Sequence, residues 1–256
     1  MTTGLMRPLA LLALLLLCGC VASGQTASPA VPADAVSRAS PAARYLDAGS
    51  LDIARFLPPP PAAGSPGQAQ DLAAVLASQA ARTPAAVEAA RLDQEVSVSR
   101  FAVILGPGFT AQQLPRTFAL AGAACQETSF VILAAKRHWD RPRPFRASPE
   151  VRPVVTNASG GSYPSGHAAC GYLWSILLAD LVPERRDALF ARGIAYGENR
   201  VLGGVHYPSD VEAGRMAAAV IAAKLYDSAA FRADLAAARA ELTAAGLPAG
   251  ALPPAR

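Results

Sequence analysis

From Asp71 to Ala245 the apolar residues recur at helical spacing between proline and glycine breaks, and nowhere do they alternate in the two-residue rhythm of a strand. A chain patterned in this way hides its apolar faces only by packing helix on helix, so the sequence predicts an all-α fold, a single mainly helical domain over residues 46–245. Helices are expected at Asp71–Arg82, Pro84 to about Leu105, Ala111–Trp139, Ser165–Leu181, Pro183 to about Gly197, Pro208–Leu225 and Ser228–Ala245. Thr83 serves as an N-cap ahead of Pro84 at the first helical position. An irregular loop fills Asp140–Tyr163, and the proline-bearing stretch Leu51–Gly67 reads as extended. With 52% apolar and 16% charged residues among 256, such a domain has ample material for a core. Aromatics make up only 6% and alanine is abundant, which suits closely packed helices better than a β-sandwich. No repeat of fixed period is visible.

The N-terminal end is an address rather than part of the fold. Arg7 precedes the apolar run Leu9–Leu17, whose nine residues reach roughly 14 Å as a helix, under half of a bilayer core. Leu17-Cys18-Gly19-Cys20 resembles a bacterial lipoprotein box, which implies a signal peptide over residues 1–19 and lipidation of Cys20. Ordinary secretion with cleavage near Ser23 is the alternative. Residues 20–45 then form a tether and 246–256 a flexible tail. The expected location is the periplasm, with the chain free or lipid-anchored to the outer membrane and touching lipid only through that anchor. The net charge of +4 is spread along the chain with no Lys/Arg block, which argues against nucleic acid as a partner. Cys125 and Cys170, an even pair in an oxidising compartment, invite a disulfide, but the favoured expectation is two buried thiols. Cys125 lies about 16 Å of helix from Lys136, whereas Cys170 is one turn from His167, and those two ends are needed at one place.

Three segments carry chemistry. In Lys136-Arg137-His138-Trp139-Asp140-Arg141-Pro142-Arg143-Pro144, five cationic or potentially cationic side chains crowd eight positions, and the prolines give Arg143 a fixed aim. In Gly160-Gly161-Ser162-Tyr163-Pro164-Ser165-Gly166-His167, Ser165 starts a helix whose free N–H groups suit an anion, with His167 beside it as a proton donor. In Gly197-Glu198-Asn199-Arg200 through Asp210, Asp210 lies four residues after His206 and is placed to hold one ring nitrogen, while Arg200 offers a planar fork to an oxyanion. Each has a plainer reading: a solvated helix end, a capped helix with a hydrogen-bonded histidine, a structural Asp–His pair. Taken together they describe one site. Lys136, Arg143 and Arg200 surround a tetrahedral anion, the turn Ser165-Gly166-His167 gives N–H groups, His206 is a nucleophile and His167 an acid, as phosphoryl transfer requires. Three fixed cations stand where a divalent metal might, so no metal and no other cofactor is expected.

The spacings K-x₆-R-P (Lys136 to Pro144), P-S-G-H (Pro164 to His167) and R-x₅-H-x₃-D (Arg200 to Asp210) resemble the three-part signature of the type 2 phosphatidic acid phosphatase and vanadium haloperoxidase superfamily. Gly161-Ser162-Tyr163 and the start around Phe56-Leu57-Pro58 look like the bacterial class A non-specific acid phosphatases. The resemblance implies the helical fold of that family and a metal-independent acid phosphatase of broad specificity acting on small phosphorylated substrates. It further implies a phosphohistidine on His206, orientation of that ring by Asp210, His167 as general acid and later base, phosphate held by Lys136, Arg143, Ser165, Gly166 and Arg200, and self-association into a homo-oligomer. The requirement that His167 carry a proton and His206 not points to a mildly acidic optimum. Asn199 departs from the serine usual before the third-motif arginine, which bears on the geometry of the phosphate oxygens and on substrate range. The alternatives are a vanadate-dependent haloperoxidase using the same pocket and a non-catalytic phosphate-binding lipoprotein.

Overall fold

The computed structural model describes residues 44–47, 49–156 and 159–246. The leader, Cys20, the tether up to residue 43, Asn157 and the tail beyond residue 246 lie outside the described residues. Among the described residues the regular structure is entirely helical: α1 (Pro66–Ala80), α2 (Pro84–Leu92), α3 (Ala102–Leu105), α4 (Pro115–Trp139), α5 (Pro144–Ala147), α6 (Gly166–Leu181), α7 (Arg186–Leu202), α8 (Pro208–Asp227) and α9 (Ala229–Ala244), with short 3₁₀ turns at Ile53–Arg55, Val98–Phe101 and Pro183–Arg185.

The centre of the domain is α6. Its sequence holds a single acidic residue, Asp180, and no Lys or Arg, and it is buried on nearly every side by α7, α8 and α4. Close approach is made possible by missing side chains. A Cβ on Gly193 of α7 would sit 1.9 Å from Ser175 Oγ, and one on Gly214 of α8 would sit 2.5 Å from Ser165 O. The second of these contacts brings α8 against the first turn of α6, where Ser165 N donates to Asp210 O at 2.8 Å. Two further helix starts are fixed by remote carboxylates. Leu114 has no polar side chain to cap α4, and Glu241 of α9 takes that place, accepting from Arg116 N and Thr117 N at 2.8 Å each. Glu127 of α4 accepts the successive N–H groups of Arg44, Tyr45 and Leu46 at 2.7, 2.6 and 2.8 Å, holding the first described residues on the domain.

Several boundaries differ from the sequence expectation. α1 starts earlier, at Pro66, because Ser65 caps it by accepting from Gln68 N. The helix from Pro84 ends at Leu92 rather than near Leu105, because tertiary partners take over the backbone there: Gln94 O bonds His167 and Glu95 O accepts from Tyr196 Oη. α4 begins at Pro115, not Ala111. α7 runs through Gly197 to Leu202, since that glycine is a packing residue whose Cβ would lie 3.0 Å from Val211 and 3.1 Å from Ala168. The expected pair of thiols is overturned: Cys125 and Cys170 form a disulfide with Cα atoms 5.1 Å apart. Helices α4 and α6 run antiparallel, with Gly166 beside Ile132, Cys170 on Cys125 and Trp174 Nε1 donating to Ala121 O. Lys136 therefore lies toward the same end as His167, and helical side chains lean back toward the N-terminus, which shortens the separation counted along the axis.

Candidate active site

The proline after His206 opens α8, so the imidazole sits just ahead of the helix and Asp210 in its first turn. Asp210 Oδ2 accepts from Tyr207 N at 2.9 Å and lies 3.2 Å from His206 Nδ1. The other ring nitrogen, Nε2, is 3.1 Å from Arg143 Nη1. A guanidinium has hydrogens and no lone pair to offer, so Nε2 is the acceptor and the ring proton resides on Nδ1, facing Asp210. The ring is nearly fully buried, at 3% exposure. Burial, then the charges of Lys136, Arg143, Arg200 and His167, hold its pKa well below the usual imidazole range.

The cations are positioned by different means. Arg143 lies between Pro142 and Pro144 and is fixed by Val205 O at 2.9 Å and Gly160 O at 3.2 Å. Lys136 Nζ donates to Gly161 O and Ser162 O at 2.7 and 3.1 Å, leaving one of its three hydrogens free. Burial, reinforced by Arg143 and opposed by Asp210, lowers its pKa to about 7. Arg200 is 2% exposed, yet its Nε and Nη1 have no hydrogen-bond partner, and burial brings its pKa down to about 10. A buried guanidinium with unused donors is costly unless an anion completes it.

At the start of α6, Ser165 Oγ caps the helix by accepting from Ala168 N at 3.3 Å, which leaves its hydroxyl hydrogen free, and Gly166 takes the first helical position. His167 Nε2 is 3.0 Å from Gln94 O; a carbonyl only accepts, so Nε2 carries the hydrogen and Nδ1 is the site at which a further proton is gained or lost. The ring stacks at 6.1 Å on Tyr196. Burial, then the charges of Arg200, Arg143 and Lys136, lower its pKa to about 4, with the Gln94 bond opposing. His138, the third histidine, is exposed beside Trp139 and is not among the groups acting on His206.

All eight predicted site residues other than the lipidation cysteine are thus described, and they meet in one place. Asn199, which stands in place of the serine, donates its amide to Asp93 Oδ2 at 2.7 Å, the carboxylate that also pairs with Arg192. Sequence reasoning did not single out Asp71 of α1, which joins Arg141 behind Asp210; the only hint was Arg141's membership of the basic cluster. Among the described residues no group of three or more His, Cys, Asp or Glu side chains is arranged to hold a metal ion.

The PAP2 superfamily profile matches residues 116–233, which span α4 to the first turn of α9. The chain is 34% identical to the non-specific acid phosphatase of Salmonella typhimurium over 202 residues, covering 75% of this chain and 81% of that protein. It is 33% identical to the acid phosphatase of Zymomonas mobilis, over 73% of this chain and 74% of the relative, and 29% identical to the non-specific acid phosphatase of Providencia stuartii, over 73% and 79%. Among solved structures, a bacterial vanadium-dependent iodoperoxidase superposes with a TM-score of 0.54 at 17% identity, over 70% of this chain and 54% of that one, a likeness of fold alone. Fold, site and sequence agree that the chain belongs to the PAP2 superfamily, in the group of bacterial non-specific acid phosphatases.

Proposed function

We propose that the protein is a metal-independent acid phosphatase that hydrolyses phosphate monoesters through a phosphohistidine on His206. The observation that carries this reading is the buried Arg200 guanidinium with two unpartnered nitrogens, standing with Lys136 and Arg143 around an imidazole whose Nε2 presents a lone pair. The phosphoryl group binds between the three cations, with Ser165 and the Gly166 and His167 N–H groups completing its shell. The Nε2 lone pair forms a bond to phosphorus as the bond to the ester oxygen breaks, and the departing oxygen takes a proton from Nδ1 of His167. The phosphorylated ring keeps its Nδ1–H on Asp210. Water then attacks phosphorus, gives its proton to His167 Nδ1, and the P–Nε2 bond breaks to release phosphate.

The protonation states follow from the charges. His206 is held well below the ordinary imidazole pKa and stays neutral in mild acid. His167 is lowered to about 4 in the empty site largely by burial and then by the three cations, and a bound dianion offsets those cations and restores its proton. The test is phosphate release from p-nitrophenyl phosphate near pH 5.5 in EDTA, together with acid-labile, alkali-stable labelling of His206 in quenched enzyme. Loss of turnover in EDTA would overturn the metal-free reading, and turnover without labelled His206 the covalent one.

Lys136 yields a second prediction. With a pKa of about 7 it is cationic below neutrality and loses its charge above it, so affinity for inorganic phosphate weakens as pH rises through 7 beyond what phosphate's own ionisation accounts for. In Lys136→Arg that extra weakening should vanish, because guanidinium does not titrate there. Competitive inhibition measured from pH 5 to 9 checks it; identical profiles for the two proteins would refute it. The same functional reading includes export to the periplasm, supported by the Cys125–Cys170 disulfide, which persists in oxidising compartments, and lipid attachment at Cys20, supported by the leader pattern.

A further inference from the structure

Behind the nucleophilic imidazole lies a second buried charge system. Arg141, 5% exposed, reaches in two directions: Nη1 donates to Asp210 Oδ1 at 2.6 Å and to Ser209 Oγ at 2.8 Å, while Nη2 donates to Asp71 Oδ2 at 2.7 Å and to Gln68 Oε1 at 2.6 Å. Its guanidinium carbon stacks 4.0 Å from the centre of the Tyr207 ring. Asp71 is itself held by Ser209, whose N–H donates to Oδ1 at 3.2 Å and whose hydroxyl donates to Oδ2. We propose that Asp71 and Arg141 are positioning residues for the reaction, fixing both the orientation and the effective charge of the carboxylate that supports His206. This rests on the reading of His206 as the nucleophile.

Two features of the geometry argue for more than a structural ion pair. The first is orientation. Asp210 is completely buried, and its shortest side-chain contact is to Arg141 at 2.6 Å, against 3.2 Å to His206. Arg141 on Oδ1 and Tyr207 N–H on Oδ2 together set the plane of the carboxylate, and His206 Nδ1 meets an oxygen that others have already placed. The second is charge. Arg141 bonded to Asp210 alone would neutralise it and leave little to stabilise the positive ring formed when Nε2 bonds to phosphorus. With Asp71 sharing the guanidinium, two carboxylates and one cation leave one net negative charge behind the ring, opposite the three cations in front of it. Asp71 and Gln68 belong to α1, which lies ahead of the residues matched by the superfamily profile, so α1 is brought into the site's electrostatics from outside that segment.

The experiment compares wild type, Asp71→Asn and Arg141→Lys with a labelled substrate, measuring kcat, KM, the rate of phosphoenzyme formation per folded active site and the melting temperature, with His206→Ala as control. In Asp71→Asn, kcat and the labelling rate should fall about 10-fold while KM stays within about 2-fold, by analogy with the loss seen when the hydrogen-bond partners of metal-bound imidazoles are removed. Arg141→Lys keeps the charge and one bond to Asp210 but loses the span to Asp71, so it should show the same split and serves if Asp71→Asn does not fold. Labelling at the wild-type rate in the folded variants, or a loss of kcat that tracks only a loss of folded sites, would overturn the positioning role. If wild type is not labelled on His206, the phosphohistidine reading fails and this inference with it; labelled wild type beside unaffected variants sinks this inference alone.

Discussion

His206→Ala is expected to lower kcat for p-nitrophenyl phosphate by about four to six orders of magnitude while changing the affinity for inorganic phosphate by no more than about threefold. The two outcomes have separate structural causes. The lone pair of His206 Nε2 is held against Arg143, with its tautomer fixed from both sides by Arg143 and Asp210. Removing it takes away the nitrogen proposed to accept the phosphoryl. The anion's binding groups, however, are anchored independently of that ring, Lys136 on Gly161 and Ser162 and Arg143 on Val205 and Gly160. Steady-state kinetics on protein from a phosphatase-deficient host, paired with calorimetric titration of phosphate, checks both. Activity within tenfold of wild type would assign the nucleophile elsewhere.

Arg200→Met should act in opposite directions on function and stability. The guanidinium is 2% exposed and two of its nitrogens lack partners, so it destabilises the unliganded fold, and an apolar side chain of similar length relieves that cost. A gain of about 1–3 kcal/mol is expected, or roughly 2–12 °C in melting temperature for a domain of this size. Over the same substitution kcat/KM should fall about 10³-fold, as for loss of an oxyanion donor. Phosphate supplies a further check: saturating anion should raise the wild-type melting temperature and close much of the gap to the variant, which binds it weakly. A variant that melts lower than wild type without ligand would show that Arg200 is satisfied in the free protein.

What could be read from the chain alone was what local spacing decides. Asp210 four residues after His206, across a proline that starts a helix, can hardly face anything but that ring, and Arg143 between two prolines has little freedom. Helical spacing likewise announced α4, α6, α8 and α9, with their ends misplaced by a few residues at most. The errors arise where a distant partner makes the decision. Nothing between Asp93 and Ser97 looks like a helix stop; Tyr196 and His167 supply the bonds that end it. Gly197 resembles a terminator but is an interhelical contact. Asp71 sits in an ordinary polar stripe until the fold sets Arg141 beside it. The cysteines were misjudged because separation along one helix says nothing about which end of an antiparallel neighbour lies alongside.

The remote capping of α4 bears on how the chain must be made. Its first turn is closed by Glu241, which is synthesised 125 residues after Arg116, and Asp234, also in α9, receives Tyr45 Oη at 2.8 Å from the opposite end of the domain. A polypeptide emerging N-terminus first lacks the cap on α4, the longest helix among the described residues, until α9 has been released. Partial products that end before Glu241 therefore hold α4 without its first-turn partner, and that contact forms as a late, long-range event.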